Sequence, residues 1–308
     1  MEISSKLKFA NPANNHGYEV IESVNSNKEG SYFKTIARRF AKNKVAMVSL
    51  VLFILLILVA VFAPVISPYL PNKTVGNFEA TPDSAFRLGT DEIGRDVLSR
   101  LIYGARVSLI VSMGSVAIYV IIGTTLGLIS GYFGGFIDST IMRITEVFMS
   151  YPYFMVILVL VSLIGPSIWT VTFVLGFLGW PPLCRLVRGQ VLSIKSIDFI
   201  SAAKATGYST SSILFKQILP NVLSIILVNA TFGIANAILT EASLSFLGMG
   251  VRPPAASWGN MLSNAQSLTV LSMQPWRWVP AGIVILVSVL VVNFIGDGLR
   301  DAVEGETK

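Results

Sequence analysis

Charge is the first thing this sequence lacks. Asp, Glu, Lys and Arg make up 13% of its 308 residues, against about a quarter in an ordinary soluble domain. Hydrophobic residues make up 53%, and the mean hydropathy is +0.69. That composition excludes a disordered chain, a nucleic-acid-binding domain and a typical cytosolic enzyme. A single cysteine, Cys184, leaves no intramolecular disulfide framework and no thiolate metal cluster. A single histidine, His16, in a polar stretch argues against a zinc site. No G-x-x-x-x-G-K-S/T phosphate loop occurs, so that route to ATP binding and hydrolysis is closed, and G-x-S-x-G is absent too. The expectation is a non-catalytic membrane protein that binds no cofactor or metal itself.

Long apolar runs take the place of charge. A spanning helix needs about 20 predominantly apolar residues. Five uncharged runs supply them: Val45–Asn72 (28 residues), Val107–Ile137 (31), Val147–Cys184 (38), Gln217–Thr240 (24) and Trp278–Gly296 (19). The third is too long for one helix, and Gly165-Pro166-Ser167 divides it at a turn signal. Six transmembrane helices are therefore expected, near 47–66, 104–128, 146–164, 168–184, 221–245 and 278–296. With the N-terminus inside, the cytoplasmic segments carry 16 Lys and Arg and the outer segments carry 7. The positive-inside rule then places both termini in the cytoplasm. Residues 1–33 read as a polar tail, 34–100 as an uncleaved anchor helix with an outer loop, 101–302 as the membrane domain and 303–308 as a short tail. The basic cluster Lys34, Arg38, Arg39, Lys42 and Lys44 pins the first helix to anionic headgroups and gives no reason to invoke nucleic acid.

The spans are nearly free of the ionisable groups that an ion-coupled carrier places at mid-membrane. Asp138, Arg143 and Glu146 sit at the inner end of the third span, where Arg143 and Glu146 are three residues apart and can pair. A transport protein without its own ATPase or an ion relay needs energy from a partner. The one sizeable inner loop between spans, 185–220, is suited to receive it. Asp198 can cap a short helix, Gly207 can end it in a left-handed conformation, and Ser209 or Thr210 can cap a second. Pro220 then marks the start of the fifth span. Two short helices at an angle would form a knob for a soluble partner.

This loop resembles the EAA loop of ABC importer permeases, whose pattern is E-A-A, three residues, G, nine residues, I-x-L-P. Ala202, Ala203, Gly207, Leu219 and Pro220 match it at the right spacing, while Ser201 stands for the glutamate and Gln217 for the isoleucine. Leu88-Gly-Thr-Asp-Glu-Ile-Gly-Arg-Asp-Val-Leu-Ser-Arg100 is similar to the L-G-T-D-x-x-G-R-D motif of the C-type permease subunit of dipeptide and oligopeptide importers. Gly134-Gly135 with Asp138 and Met142-Arg143, the run Leu186–Gln190, Glu241–Gly248, Pro253-Pro254 with Ser257-Trp258-Gly259, and Gly296–Asp301 extend the likeness from about residue 34 to 302. The resemblance implies a type I ABC importer permease fold in the bacterial plasma membrane. It also implies a homologous second permease, two cytoplasmic ATPases that bind ATP and Mg, and an extracellular or periplasmic binding protein. The implied cargo is di- or oligopeptides, with nickel chelates or glutathione as alternatives. A stand-alone channel or carrier remains the alternative of a different class.

On that resemblance Ser201, Ala202, Ala203 and Gly207 form the coupling surface, with Leu219 and Pro220 setting its exit into helix five. Asn229, Gly233, Asn236 and Thr240 fall on one helical face, as pathway lining or as hydrogen-bonding glue between helices. Glu241 either greets a peptide ammonium near the outer gate or sits wet at the interface. Asp91, Arg95 and Asp96 either pair with one another or, with Trp258, contact the binding protein or the sister permease.

Overall fold

A computed structural model describes residues 34–196, 203 and 206–305. Its long elements are α1 (Lys44–Val61), α2 (Val97–Phe133), α3 (Gly135–Ser150), α4 (Tyr153–Ile164), α5 (Ile168–Lys195), α6 (Leu219–Phe246) and α7 (Val279–Glu304). Each begins where local chemistry lets it. The Asn43 side chain accepts from the Ala46 amide at the start of α1, the Asp96 carboxylate from the Ser99 amide at α2, and the Ser167 hydroxyl from the Thr170 amide at α5. Gly165, at φ +99°, closes α4, so the divider expected at Gly165–Ser167 is present.

Among the described residues, five helices are long and apolar enough to cross a membrane: α1, α2, α5, α7 and a 37-residue helix, Thr210–Phe246, that contains α6. The expected third span, 146–164, is corrected: helix already begins at Gly135, and α3 and α4 meet at an 82° bend, so six spans result only if the bent pair is one. Pro152 causes the break, because the residue before a proline is driven out of the α region, and Tyr151 is extended at φ −99°, ψ 147°. The uncharged run Val147–Cys184 passes straight through the bend, which is why the pattern of charge conceals it.

The expected knob of two short helices is corrected in its second half. Ser209 caps Thr210–Ser212, which runs through a π-helical stretch, Ile213–Ile218, directly into α6 without a break at Pro220. The wider turn gives the Leu219 amide a partner five residues back, the Leu214 carbonyl, where a proline follows that could offer none.

At the centre, α2 and α5 pack along a stripe of small residues. A Cβ at Gly127 would lie 2.7 Å from the Val187 Cβ and 2.8 Å from the Cys184 carbonyl, and one at Gly123 would lie 2.9 Å from the Trp180 carbonyl. Only hydrogen fits there, and the close approach is the usual means of joining helices that lack a hydrophobic driving force in lipid. Around this pair, Val187, Val191, Ile213, Ile218 and Val222 form one buried cluster that ties the start of the 210–246 helix to α2 and α5. By contrast α1 turns Val48, Leu52, Leu55 and Val61 outward, the surface expected of a lipid-facing helix.

Candidate functional site: a central cavity, a connecting loop and a capped end

A cavity of about 380 Å³ opens between α2, α5, α6 and the α3–α4 bend. Asn229, Gly233, Asn236 and Thr240 all line it, so the face read from their spacing is the face that the helix turns to open space. Asn236 is exposed there, while the Thr240 hydroxyl bonds back to the Asn236 carbonyl at 2.7 Å. Opposite stand Ser115 and Tyr119 of α2, Phe148 and Met149 of α3, Tyr151 at the bend and Tyr153 of α4, together with Pro181 and Pro182 of α5. Tyr119 reaches the Asn229 carbonyl at 3.3 Å and packs on Gly233, where a Cβ would overlap the phenol ring. Among the described residues that line the cavity none is charged. Amides, hydroxyls and aromatic faces can hold the backbone amides of a flexible ligand without selecting the sign of its charge.

Glu241 is not part of that wall. One residue beyond Thr240 the helix has turned by 100°, and the Glu241 side chain lies 1% exposed between helices. The Ser245 hydroxyl donates to it at 2.8 Å and the Ser108 hydroxyl at 3.2 Å. Ser108 in turn accepts from the Trp258 amide at 3.2 Å, and the Trp258 indole donates to the Leu101 carbonyl at 3.1 Å. Both readings of Glu241, at the outer gate or wet at the interface, are therefore corrected. They rest on its height along the helix and leave out the direction it faces. It is a buried carboxyl that, through Ser108, holds the segment around Trp258 down on α2.

The loops of residues 69–100 and 248–278 close over this point. Asp91 accepts from the Arg95 side chain at 2.6 Å and from the Arg95 amide at 2.9 Å, with the Arg100 guanidinium 3.5 Å away. Arg277, from the segment before α7, pairs with Glu79 at 2.9 Å and Glu92 at 2.5 Å. Asp91, Arg95, Asp96 and Trp258 are exposed by 3%, 6%, 3% and 1%. None of the four thus presents its side chain on the surface of the chain, which is a correction to the contact surface read from them. Asp91 and Arg95 satisfy one another, as the self-paired reading has it, whereas Asp96 accepts from the Ser99 amide and hydroxyl and caps α2 instead. Within the Gly89–Asp96 turn itself, the exposed side chains are those of Glu92 and Ile93.

At the other end, Ser201 and Ala202 lie outside the described residues. The Ala203 carbonyl accepts from the Tyr208 amide and the Thr206 hydroxyl, each at 3.1 Å, and Gly207 adopts φ +80°, the left-handed turn read from the sequence. Leu219 and Pro220 stand inside the continuous helix. Ile213 and Ile218 are buried against α2 and α5, whereas Phe215 is 60% exposed. Arg143 and Glu146 pair at 3.2 Å in the open, as their spacing suggests.

One cluster is not readable from the sequence. Arg188 of α5 grips both carboxylate oxygens of Asp138 at 2.6 Å, and the Ser130 hydroxyl donates to the same carboxylate. Both charged residues stand within the quoted motifs, but a pairing across 50 positions has no local signature.

Residues 123–308 match the family model described as binding-protein-dependent transport system inner membrane component, and residues 31–83 match the N-terminal TM domain of oligopeptide transport permease C. The chain is 42% identical over 267 residues to a putative peptide permease protein of Brucella suis, covering 86% of this chain and 88% of the relative. It is 39% identical over 281 residues to the oligopeptide transport system permease protein OppC of Bacillus subtilis, covering 91% of each. With the di/tripeptide transport system permease protein DppC of Pseudomonas aeruginosa it shares 37% identity over 90% of this chain and 93% of the relative. Among solved structures it resembles the MetNI methionine ABC transporter in inward-facing form, with a TM-score of 0.53 and 20% identity over 66% of this chain and 96% of the other. That last likeness bears on the fold alone.

Proposed function

The chain belongs to the family of binding-protein-dependent transport system inner membrane components, and from that premise we propose that it is the permease subunit of an ATP-driven importer of di- or oligopeptides. The observation that carries this reading is the match, near 40% identity over 86–91% of the chain, to relatives named as peptide permeases. The uncharged, amide- and phenol-lined cavity supports it, since peptides share a polar backbone and differ in side-chain charge.

In this reading the protein crosses the plasma membrane with both termini in the cytoplasm and forms the pathway with a homologous permease. The segment around Ser201, Ala202, Ala203 and Gly207, continued through Leu219 and Pro220, seats on one of two cytoplasmic ATPases. These bind ATP and Mg, and their closure draws the coupling segments together. Ile213 and Ile218 carry the displacement into the α2–α5 core. The cavity, with Asn229 and Asn236 on its wall, then accepts peptide from a binding protein on the other side. This chain hydrolyses nothing.

Reconstitution tests the reading. The chain, its sister permease and the two ATPases in liposomes should take up labelled peptide only with ATP and binding protein present. The chain alone should take up none. Peptide uptake by the chain alone, or an assembled complex indifferent to ATP, would contradict it.

A further inference from the structure

We propose that the Asp138–Arg188 pair is a coupling strap that makes α3, and with it one wall of the cavity, follow the loop end of α5. This rests on the reading of the connection between α5 and α6 as the ATPase-coupling segment. Arg188 lies seven residues before the end of α5 at Lys195, beyond which that connection begins. Asp138 lies in the first turn of α3. The pair is bidentate with both contacts at 2.6 Å, the geometry of the strongest side-chain hydrogen bonds. Ser130 of α2 donates to the same carboxylate, so three helices meet at one group.

Apart from that pair, the helix is held by partly buried side chains, Ile141, Met142 and Phe148, that pack on the α2–α5 cluster. Whereas α2 and α5 are locked by the contacts at Gly123 and Gly127, only Thr145 of the 16 residues of α3 is buried. The backbone before it passes through Gly134 and Gly135 at φ +67° and +55°, a joint that glycine forms at little cost. The backbone after it bends by 82°. Thus α3 is a stiff rod between two joints. At its far end Phe148 packs on Phe177 and Trp180 of α5, with ring centroids 6.0 and 5.4 Å apart, and Phe148, Met149 and Tyr151 line the cavity. Asp138 and Phe148 are separated by about 15 Å of helix. With the pair intact, a shift of the α5 end carries the rod and re-aims the cavity wall. Without it, the rod is free to lag. Asp138 and Arg188 are positioning residues, acting on the pathway through α3.

Two readouts on the assembled complex test this. Asp138→Asn should lower peptide uptake per ATP hydrolysed by at least about fivefold, the lower bound of ordinary coupling effects, with ATPase rate and assembly unchanged. The exchanged pair, Asp138→Arg with Arg188→Asp, should recover coupling above either single variant. Uptake and hydrolysis falling in proportion, or neither falling, would overturn the proposal. Independently of transport, spin labels at Glu146→Cys and Leu192→Cys should report a single narrow distance that broadens on Asp138→Asn. An unchanged distribution would overturn the strap even if the complex carries a different cargo. Absent uptake by the unaltered complex would count against the functional reading alone.

Discussion

At the end of the bundle formed by residues 69–100 and 248–278, the arginines that pair are buried, although the carboxylates of Glu79 and Glu92 that meet Arg277 are each 44% exposed. Arg95, Arg277 and Asp91 are all at least nine-tenths buried, and Glu241 is sealed beneath Trp258 by serine hydroxyls. At the other end, formed by residues 134–146 and 186–218, the ion pairs stand partly in the open. Arg143 and Glu146 are 83% and 51% exposed, and even the well-formed Arg188–Asp138 pair leaves its arginine 32% exposed. The first end also carries the capping box of Ser257 and Asn260, which fixes a short helix over α2. Left-handed glycines occur at both ends, Gly89, Gly94 and Gly248 at the first and Gly207 at the second, but the second adds a π-helical stretch and the glycine joint at the start of α3. One end spends its polar groups on its own rigidity, and the other keeps joints. In a subunit driven by a partner, the joints belong where the partner pushes.

The comparison breaks most readily at the sealed end. Glu241→Ala removes the acceptor of two buried hydroxyls, and each buried group left unsatisfied costs about 1–3 kcal/mol. The thermal midpoint of the purified protein in detergent should fall by several degrees. Glu241→Gln, which keeps an acceptor, should lose less. Equal loss in both would mean that the charge, and not the hydrogen bonding, holds the cap.

Gly207→Val forces a β-branched residue into a left-handed conformation, at about 1–2 kcal/mol. The cost is confined to the loop, so ATPase engagement should weaken by more than the melting midpoint shifts. A large fall in the midpoint would show that the loop end is as integral as the cap. On the cavity wall, Asn236→Leu should cut uptake by roughly two- to tenfold, the worth of one hydrogen bond, without moving the midpoint. Unchanged uptake would assign Asn236 to helix packing. The smallest effect belongs to Arg143→Ala. An exposed i,i+3 pair contributes at most about 0.5 kcal/mol, so thermal stability should not change measurably.

Features that depend on near neighbours are legible in the sequence. The turn at Gly165–Ser167, the Ser209 cap, the left-handed Gly207 and the shared face of Asn229, Gly233, Asn236 and Thr240 all follow from short spacings. Features that depend on direction or distant partners are not. Residue spacing counts Glu241 up its helix but does not say which neighbour it faces, because helical rise is easier to read from a sequence than azimuth among neighbours. Asp138–Arg188 and Ser108–Glu241 join positions 50 and 133 residues apart. The α3–α4 bend hides within an apolar run that keeps its hydropathy while changing direction. The helix through Pro220 continues because a π turn absorbs the missing donor, a solution that no proline rule anticipates.

The account stands on energy arriving at the jointed end. The single cysteine, Cys184, is buried, so a cysteine introduced at exposed Thr210 can be addressed selectively, as can one at Leu268, which is 81% exposed on the capped side. In membranes holding the assembled complex, Thr210→Cys should cross-link to the ATPase subunit in a yield that changes with ATP, and Leu268→Cys should not cross-link to it at all. A cross-link from Leu268→Cys, or none from Thr210→Cys in a complex that hydrolyses ATP, would contradict the account.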